Sequence, residues 1–195
     1  MNKRFLYIDM DDVLLDTSNY LMDWHKKNFP FNDKRNCGSR EIHKLLGMTW
    51  RECWDDLPQL FWETIPFTPW AKQLIALSEE YFPGNVFLLT SPIPNGVCSA
   101  GKQLWVNNFL PAYQGKLIIG HKKYACVAED GLLIDDSYTN EEKFAQYGKS
   151  NSFYLFPSYQ NKLFGYVPKM YNDPSDELAS IEELYKSVCK SSSAL

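Results

Sequence analysis

The hydrophobic and polar positions change rhythm twice along the chain. Phe5-Leu6-Tyr7-Ile8 is a short apolar run without polar alternation, the pattern of a strand buried on both faces of a parallel sheet. From Thr17 to Phe29 the period lengthens. Tyr20, Leu21, Trp24 and Phe29 fall on one side of a predicted helix, which Phe29-Pro30-Phe31-Asn32-Asp33 breaks. From there to about Pro69 no strand pattern occurs. Ser39 caps a predicted helix through Leu46 with Gly47 as its stop, and Thr49 caps another carrying Trp50, Cys53 and Trp54. Leu60-Phe61-Trp62 follows Pro58. The stretch reads as a small, aromatic-rich helical insertion, mobile relative to the rest.

Beyond Pro69 the rhythm becomes regular. Pro69 opens a helix with Trp70, Leu74, Ile75 and Leu77 on its buried side, ended by Pro83-Gly84-Asn85. Predicted strands follow at Val86–Leu89, Leu117–Ile119, Leu132–Ile134 and Phe153–Phe156. Predicted helices lie at about Ser99 to Leu110, Thr139 to Tyr147 and Ser175 to Val188. Alternating strands and helices imply an α/β fold: a Rossmann-like parallel sheet flanked by helices, with right-handed crossovers. The expected organisation is a core domain of residues 1–16 and 69–190, a helical cap of residues 17–68 inserted after the first strand, and a flexible tail, 191–195.

Composition narrows the function classes. The chain has 195 residues, ordinary apolar content and a formal net charge of −4, with no Lys/Arg run. Bulk charge therefore does not point to a nucleic-acid surface. No stretch is long and apolar enough to span a membrane, and Met1-Asn2-Lys3-Arg4 leads into a strand rather than a signal peptide. The cysteines, Cys37, Cys53, Cys98, Cys126 and Cys189, are odd in number and include no Cys-x-x-Cys. Zinc and a disulfide framework are not expected, and a reducing cytoplasm is. A homodimer remains open.

Candidate chemistry gathers at the strand ends. The first strand runs into Asp9 and Asp11, the second into Thr90 and Ser91, another into Lys122-Lys123, and another into Asp135 and Asp136. Open α/β sheets bind ligands at their carboxyl edge. Asp9 and Asp11 flank one residue, so both can face one point, and two such carboxylates repel unless a cation or proton lies between them. That favours Mg²⁺, although Asp-x-Asp alone is equally consistent with a solvated loop. Acids for a hard cation, with a hydroxyl and a lysine for anionic oxygens, together fit a phosphoryl group.

Asp9-Met10-Asp11, Leu88-Leu89-Thr90-Ser91, a lysine and Leu133-Ile134-Asp135-Asp136, in that order, resemble the four motifs of the haloacid dehalogenase superfamily of phosphohydrolases. Tyr7-Ile8-Asp9-Met10-Asp11, Phe87 to Ile93, Gly101-Lys102 with Trp105-Val106, and Leu132 to Asp136 are most similar to its 5'(3')-deoxyribonucleotidases and their bacterial and phage relatives. The resemblance implies that Asp9 attacks phosphorus to form an aspartyl-phosphate, and that Asp11 protonates the leaving oxygen and then activates water. It implies Mg²⁺ on Asp9, the Asp11 backbone carbonyl and the Asp135-Asp136 pair, with Asp136 as direct ligand and Asp135 as close support. Thr90 donates to a phosphate oxygen, with Ser91 beside it. Lys123 best matches the third-motif lysine, with Lys122 as the alternative. Lys102 matches a second lysine near the phosphate, its alternative being a solvated residue in the first turn of a helix. Asp12 departs from the glycine usual at its position. Cys98 and His121 lack partners in a recognisable order and read as structural.

The insertion matches the place of the family's helical cap, which closes over the site and chooses the leaving group. Trp24, Trp50, Trp54, Phe61 and Trp62 are candidates to line the cleft or stack on a base, each with plain packing as its alternative. The resulting expectation is an Mg²⁺-dependent phosphomonoesterase acting on nucleoside, in particular deoxyribonucleoside, monophosphates. The rivals are the same chemistry on another small ester such as a sugar phosphate, a non-catalytic phosphate- or nucleotide-binding module, and action on polynucleotide ends, which the acidic charge disfavours.

Overall fold

The computed structural model describes residues 3–25, 42–158 and 167–189. The elements in order are β1 (Phe5–Ile8), α1 (Thr17–Trp24), α2 (Ile42–Leu45), a π-helical turn (Arg51–Asp55), α3 (Gln59–Thr64), α4 (Ala71–Tyr81), β2 (Val86–Thr90), α5 (Val97–Phe109), β3 (Leu117–Ile119), α6 (Lys123–Cys126), β4 (Gly131–Asp135), α7 (Tyr138–Gln146), β5 (Phe153–Leu155), α8 (Val167–Asn172) and α9 (Ser175–Cys189). Among the described residues the strands form one five-stranded sheet, ordered β3-β2-β1-β4-β5, and every pairing is parallel. The fold is α/β and Rossmann-like. The chain steps from β1 outward to β3, then crosses back over β1 to β4. The order reverses between β1 and β4, whose facing registers include Ile8 opposite Ile134. The residues just past that pair, Asp9 and Asp135, stand at the crevice where such sheets bind ligands.

The buried strands explain their own composition. Leu6, Ile8, Leu88, Leu89, Leu133 and Ile134 are fully buried, as a sheet covered on both faces requires. Boundaries shift where local hydrogen bonds intervene. Helix α5 begins at Val97 rather than Ser99, because Asn95 Oδ1 accepts from Cys98 N at 3.2 Å and starts the turn early. Helix α7 begins at Tyr138, capped by Ser137, whose hydroxyl accepts from Asn140 N at 3.3 Å. The strand expected through Phe156 ends at Leu155. Helices α6 and α8 were not predicted: four and six residues carry too little periodicity to register. The expected break at Phe29–Asp33, the Ser39 cap and the tail lie outside the described residues.

The described residues of the insertion join the core of the sheet domain. Leu21, Cys53, Trp54, Phe61 and Trp62 belong to the same buried cluster as Leu6, Ile8 and Trp105. Thr49 caps its turn as predicted: Thr49 N donates to Glu52 Oε2 at 2.8 Å and Glu52 N to Thr49 Oγ1 at 3.3 Å, a reciprocal capping box. Helix α3 lies directly on core helix α5. Gly101 permits this approach, since a Cβ there would stand 2.4 Å from Trp62 Cβ and 2.9 Å from the Gln59 carbonyl oxygen. Trp105 Nε1 donates to Ile65 O at 2.8 Å and fixes the end of the same segment. Where the chain leaves and re-enters the core, the two passages bond to each other: Asp16 N to Pro66 O at 2.9 Å and Thr68 N to Leu14 O at 2.8 Å. No helix among the described residues is long and apolar enough to cross a membrane.

Candidate active site

A cavity of about 470 Å³ opens over the β1–β4 edge. Its floor carries Asp9, Asp11, Lys123 and Asp136, and the insertion supplies Trp50, Trp54 and Trp62. The four strand-end groups predicted from sequence converge here. Carboxylate oxygens of Asp9, Asp135 and Asp136, all buried, lie within 4.8 Å of one another. An all-oxygen, anionic donor set of this kind fits a hard divalent cation such as Mg²⁺.

Two buried lysines divide the acids. Lys123 Nζ lies 2.6 Å from Asp9 Oδ1 and 2.6 Å from Asp135 Oδ2. Lys122 is exposed, so of this adjacent pair it is Lys123 that enters the site. Lys102 is fully buried, which removes its solvated alternative. Its ammonium pairs with Asp11 Oδ2 and donates to Thr90 Oγ1 at 2.7 Å. Thr90 donates in turn to Asp11 at 3.3 Å, and Thr17 Oγ1 donates to Asp11 Oδ1 at 2.9 Å. Asp11 is thus gripped from strand, helix and insertion at once. Thr90 is fully buried and spends its hydroxyl on Asp11 and Lys102, while Ser91 faces the cavity.

Asp135 and Asp136 also separate. Asp135 Oδ1 accepts from Ser137 N at 2.8 Å and from Asn140 Nδ2 at 3.2 Å, and Oδ2 from Asn140 at 3.1 Å and from Lys123. Asp136 lines the cavity and accepts from Ser158. Asp135 is the fully bonded support and Asp136 the group presented to the cavity.

Burial governs the electrostatics. Desolvation raises the Asp9 carboxyl to about 7 against the opposing pull of Lys123, and pushes Asp136 well up, with Asp12, Asp9 and Asp135 adding repulsion. Burial also acts upward on Asp11, but the Lys102 charge and the Lys102 and Thr17 hydrogen bonds outweigh it and hold Asp11 below the usual carboxylate range. The same pairings outweigh burial at the lysines and hold both ammonium groups above their usual value. Buried mutual repulsion among acids is what a bound cation relieves.

Asp12 sits in the left-handed region at φ 55°. Such a backbone favours glycine and tolerates aspartate among the few exceptions. Its carboxylate accepts from Ser18 N at 2.8 Å and from the Ser18 hydroxyl.

The aromatic candidates split. Trp50, Trp54 and Trp62 line the cavity. Trp54 and Trp62 stack with centroids 6.3 Å apart, and Lys102 Nζ lies 5.5 Å from the centre of the Trp62 ring. Trp24 and Phe61 do not line it. Phe61 is fully buried between Tyr20, Trp24 and Trp62 as packing; helical spacing alone does not distinguish the two faces of such a segment. Cys98 lines the cavity, but burial raises its thiol pKa, which disfavours the reactive thiolate. His121 is an exposed lining residue. Sequence reading missed Thr17, Ser18, Asn140 and Ser158. Of these only Asn140, in the first turn of the helix that follows Asp135-Asp136, carried a positional signal.

No protein-family model matches the chain, and no curated protein matches it.

Proposed function

We propose that this chain is an Mg²⁺-dependent phosphomonoesterase of the haloacid dehalogenase type, hydrolysing nucleoside monophosphates through an aspartyl-phosphate. One observation carries the reading: two buried lysines, each paired to a different carboxylate, face one cavity at the switch point of the sheet. A solvated acidic loop needs neither buried lysine.

Asp9, Asp136 and the Asp11 backbone carbonyl would hold the cation, with Asp135 in support. When bound, the cation neutralises charge on the acids and on the phosphoryl oxygens. Asp9 attacks phosphorus: a carboxylate oxygen forms the new P–O bond as the bond to the leaving oxygen breaks. Asp11 gives its proton to that oxygen. In the second half, water attacks the acyl phosphate, Asp11 takes its proton, and phosphate leaves with Asp9 regenerated. Lys102 favours ionised Asp11, the form the second half needs; the first half needs the protonated form. Lys123 keeps Asp9 oriented and offers its ammonium to a phosphoryl oxygen. The tryptophan wall supports a planar leaving group.

A panel of phosphorylated metabolites, assayed with and without Mg²⁺, tests this. The expected result is Mg²⁺-dependent phosphate release with nucleoside monophosphates preferred. Release without such preference moves the reading to another small ester. Binding without release by the wild-type chain moves it to a binding module.

A further inference from the structure

Resting on that phosphatase reading, we infer that Asp12 is a positioning residue: its bond to Ser18 clamps α1 to the catalytic loop and thereby holds Thr17 on Asp11. Helix α1 lacks the cap its sequence offers. Asp16 occupies the N-cap position but makes no side-chain cap bond. Its Oδ1 accepts instead from Asn19 Nδ2 at 2.8 Å and from the Tyr171 hydroxyl. The amide of Ser18, in the first turn of α1, would then have no acceptor in its own helix. Asp12 provides one from four residues before Asp16, and its second oxygen takes the Ser18 hydroxyl.

The neighbouring rung gives this contact its consequence. Thr17 Oγ1, one residue from Ser18, donates to Asp11 Oδ1. Adjacent residues of the loop, Asp11 and Asp12, thus bind adjacent residues of the helix, Thr17 and Ser18. Of the described groups that grip Asp11, Lys102 and Thr90 both bear on Oδ2, and Thr17 is the one on Oδ1. The rotation of the Asp11 carboxylate therefore depends on the seating of α1. Asp12 retains a side chain at a left-handed backbone position and brings another acid near Asp136. Both are unfavourable, and sites of local strain of this kind persist where the surroundings over-determine them. The clamp is the compensating contact. It also links the helical insertion to proton transfer, because α1 packs on α3 through Tyr20 and Phe61, at 5.1 Å between ring centroids.

The test uses the 195-residue chain, with phosphate release from its best monophosphate substrate, amide hydrogen exchange, and four variants. Asp12→Gly removes the clamp and should lower kcat about tenfold with KM within about twofold, since misplacing a proton-transfer group costs the chemical step rather than binding. Asp12→Asn keeps an acceptor for the Ser18 amide and should restore kcat to within about threefold of wild type. Thr17→Val should match Asp12→Gly, and the double variant should lose little more than either, because the two rungs act as one unit. Hydrogen exchange at the Ser18 amide should quicken in Asp12→Gly and not in Asp12→Asn. Faster exchange with unchanged kcat overturns the coupling. An Asp12→Asn variant as slow as Asp12→Gly overturns the clamp in favour of the charge. A folded wild-type chain that releases no phosphate from any ester overturns the phosphatase reading itself, and the coupling with it.

Discussion

The two sides of the cavity treat buried polar groups differently. On the sheet side the acids and lysines of the site are bonded: Asp9 and Asp135 share Lys123, half-buried Asp11 takes Lys102, and Asp136 takes Ser158. On the insertion side, the indole nitrogens of Trp54 and Trp62 and Nδ1 of His43 are buried without a hydrogen-bond partner among the described residues. Trp105 belongs to the core helix, and its indole N–H is bonded. The acids and lysines of the sheet edge thus hold one another in place. The tryptophan wall of the insertion packs by aromatic area, with the Trp54 and Trp62 N–H groups unpartnered among the described residues. A preorganised reacting end is what the proposed phosphoryl site requires.

Breaking the bonded side should produce the largest change. Lys123→Ala leaves Asp9 and Asp135 buried without their shared cation, which should destabilise the fold by about 3–5 kcal/mol. Chemical denaturation at neutral pH reads this. A loss below 1 kcal/mol would mean that the pair is solvated.

The contact between the two sides comes next. Gly101→Ala sets a Cβ against Trp62 and the Gln59 carbonyl, neither of which is the far end of a flexible chain. Overpacking should cost about 1–3 kcal/mol and, by moving Trp62 off Lys102, lower phosphatase activity as well. A neutral substitution would show that α3 is free to withdraw from α5.

The acids predict a pH signature for the cation-free chain. Asp9 and Asp12 are each raised to about 7, and Asp136 is pushed well above the usual carboxylate range by burial and neighbouring acids. Between about pH 4 and 7 the unfolded chain has lost these protons while the folded chain retains them, so stability falls as pH rises through that window. A divalent cation binds the ionised acids and should reverse the loss. Mg²⁺ should therefore raise Tm more at pH 7.5 than at pH 5. An equal shift at both pH values would place the cation elsewhere.

The smallest effect separates the bonded indole donor from the unpartnered one. Trp105→Phe loses the bond to Ile65 and should cost about 1 kcal/mol beyond its packing change. Trp54→Phe removes an N–H that has no hydrogen-bond partner among the described residues, so the hydrogen-bond part of its cost should be about zero. Matched denaturation curves check the difference.

Much of the bonded side was legible in the sequence. Buried strands announce themselves as unbroken apolar runs, and Asp9, Thr90, Lys123 and Asp135 each follow one, so topology alone brings them to one edge. The pairings were less legible. Lys102 lies in a helix whose buried side could be guessed only approximately, and its contact with Asp11 depends on how α5 lies over β2. Asp12 stood out as a departure from glycine, but its backbone conformation and its bond to Ser18 arise from the turn that follows β1. The insertion was least legible. Trp24 and Phe61 are aromatic like Trp54 and Trp62, and which rings face the cavity depends on tertiary packing such as the docking of α3 on α5 at Gly101. A four-residue helix such as α6 has no period to detect, although it begins at Lys123.

The most direct test of the central reading is phosphate release from a nucleoside monophosphate by the wild-type chain and by Asp9→Asn, both with Mg²⁺. The account predicts turnover by the wild type, a loss of about a thousandfold or more in the variant, and an unchanged fold by circular dichroism. A folded Asp9→Asn variant that releases phosphate at the wild-type rate would contradict it.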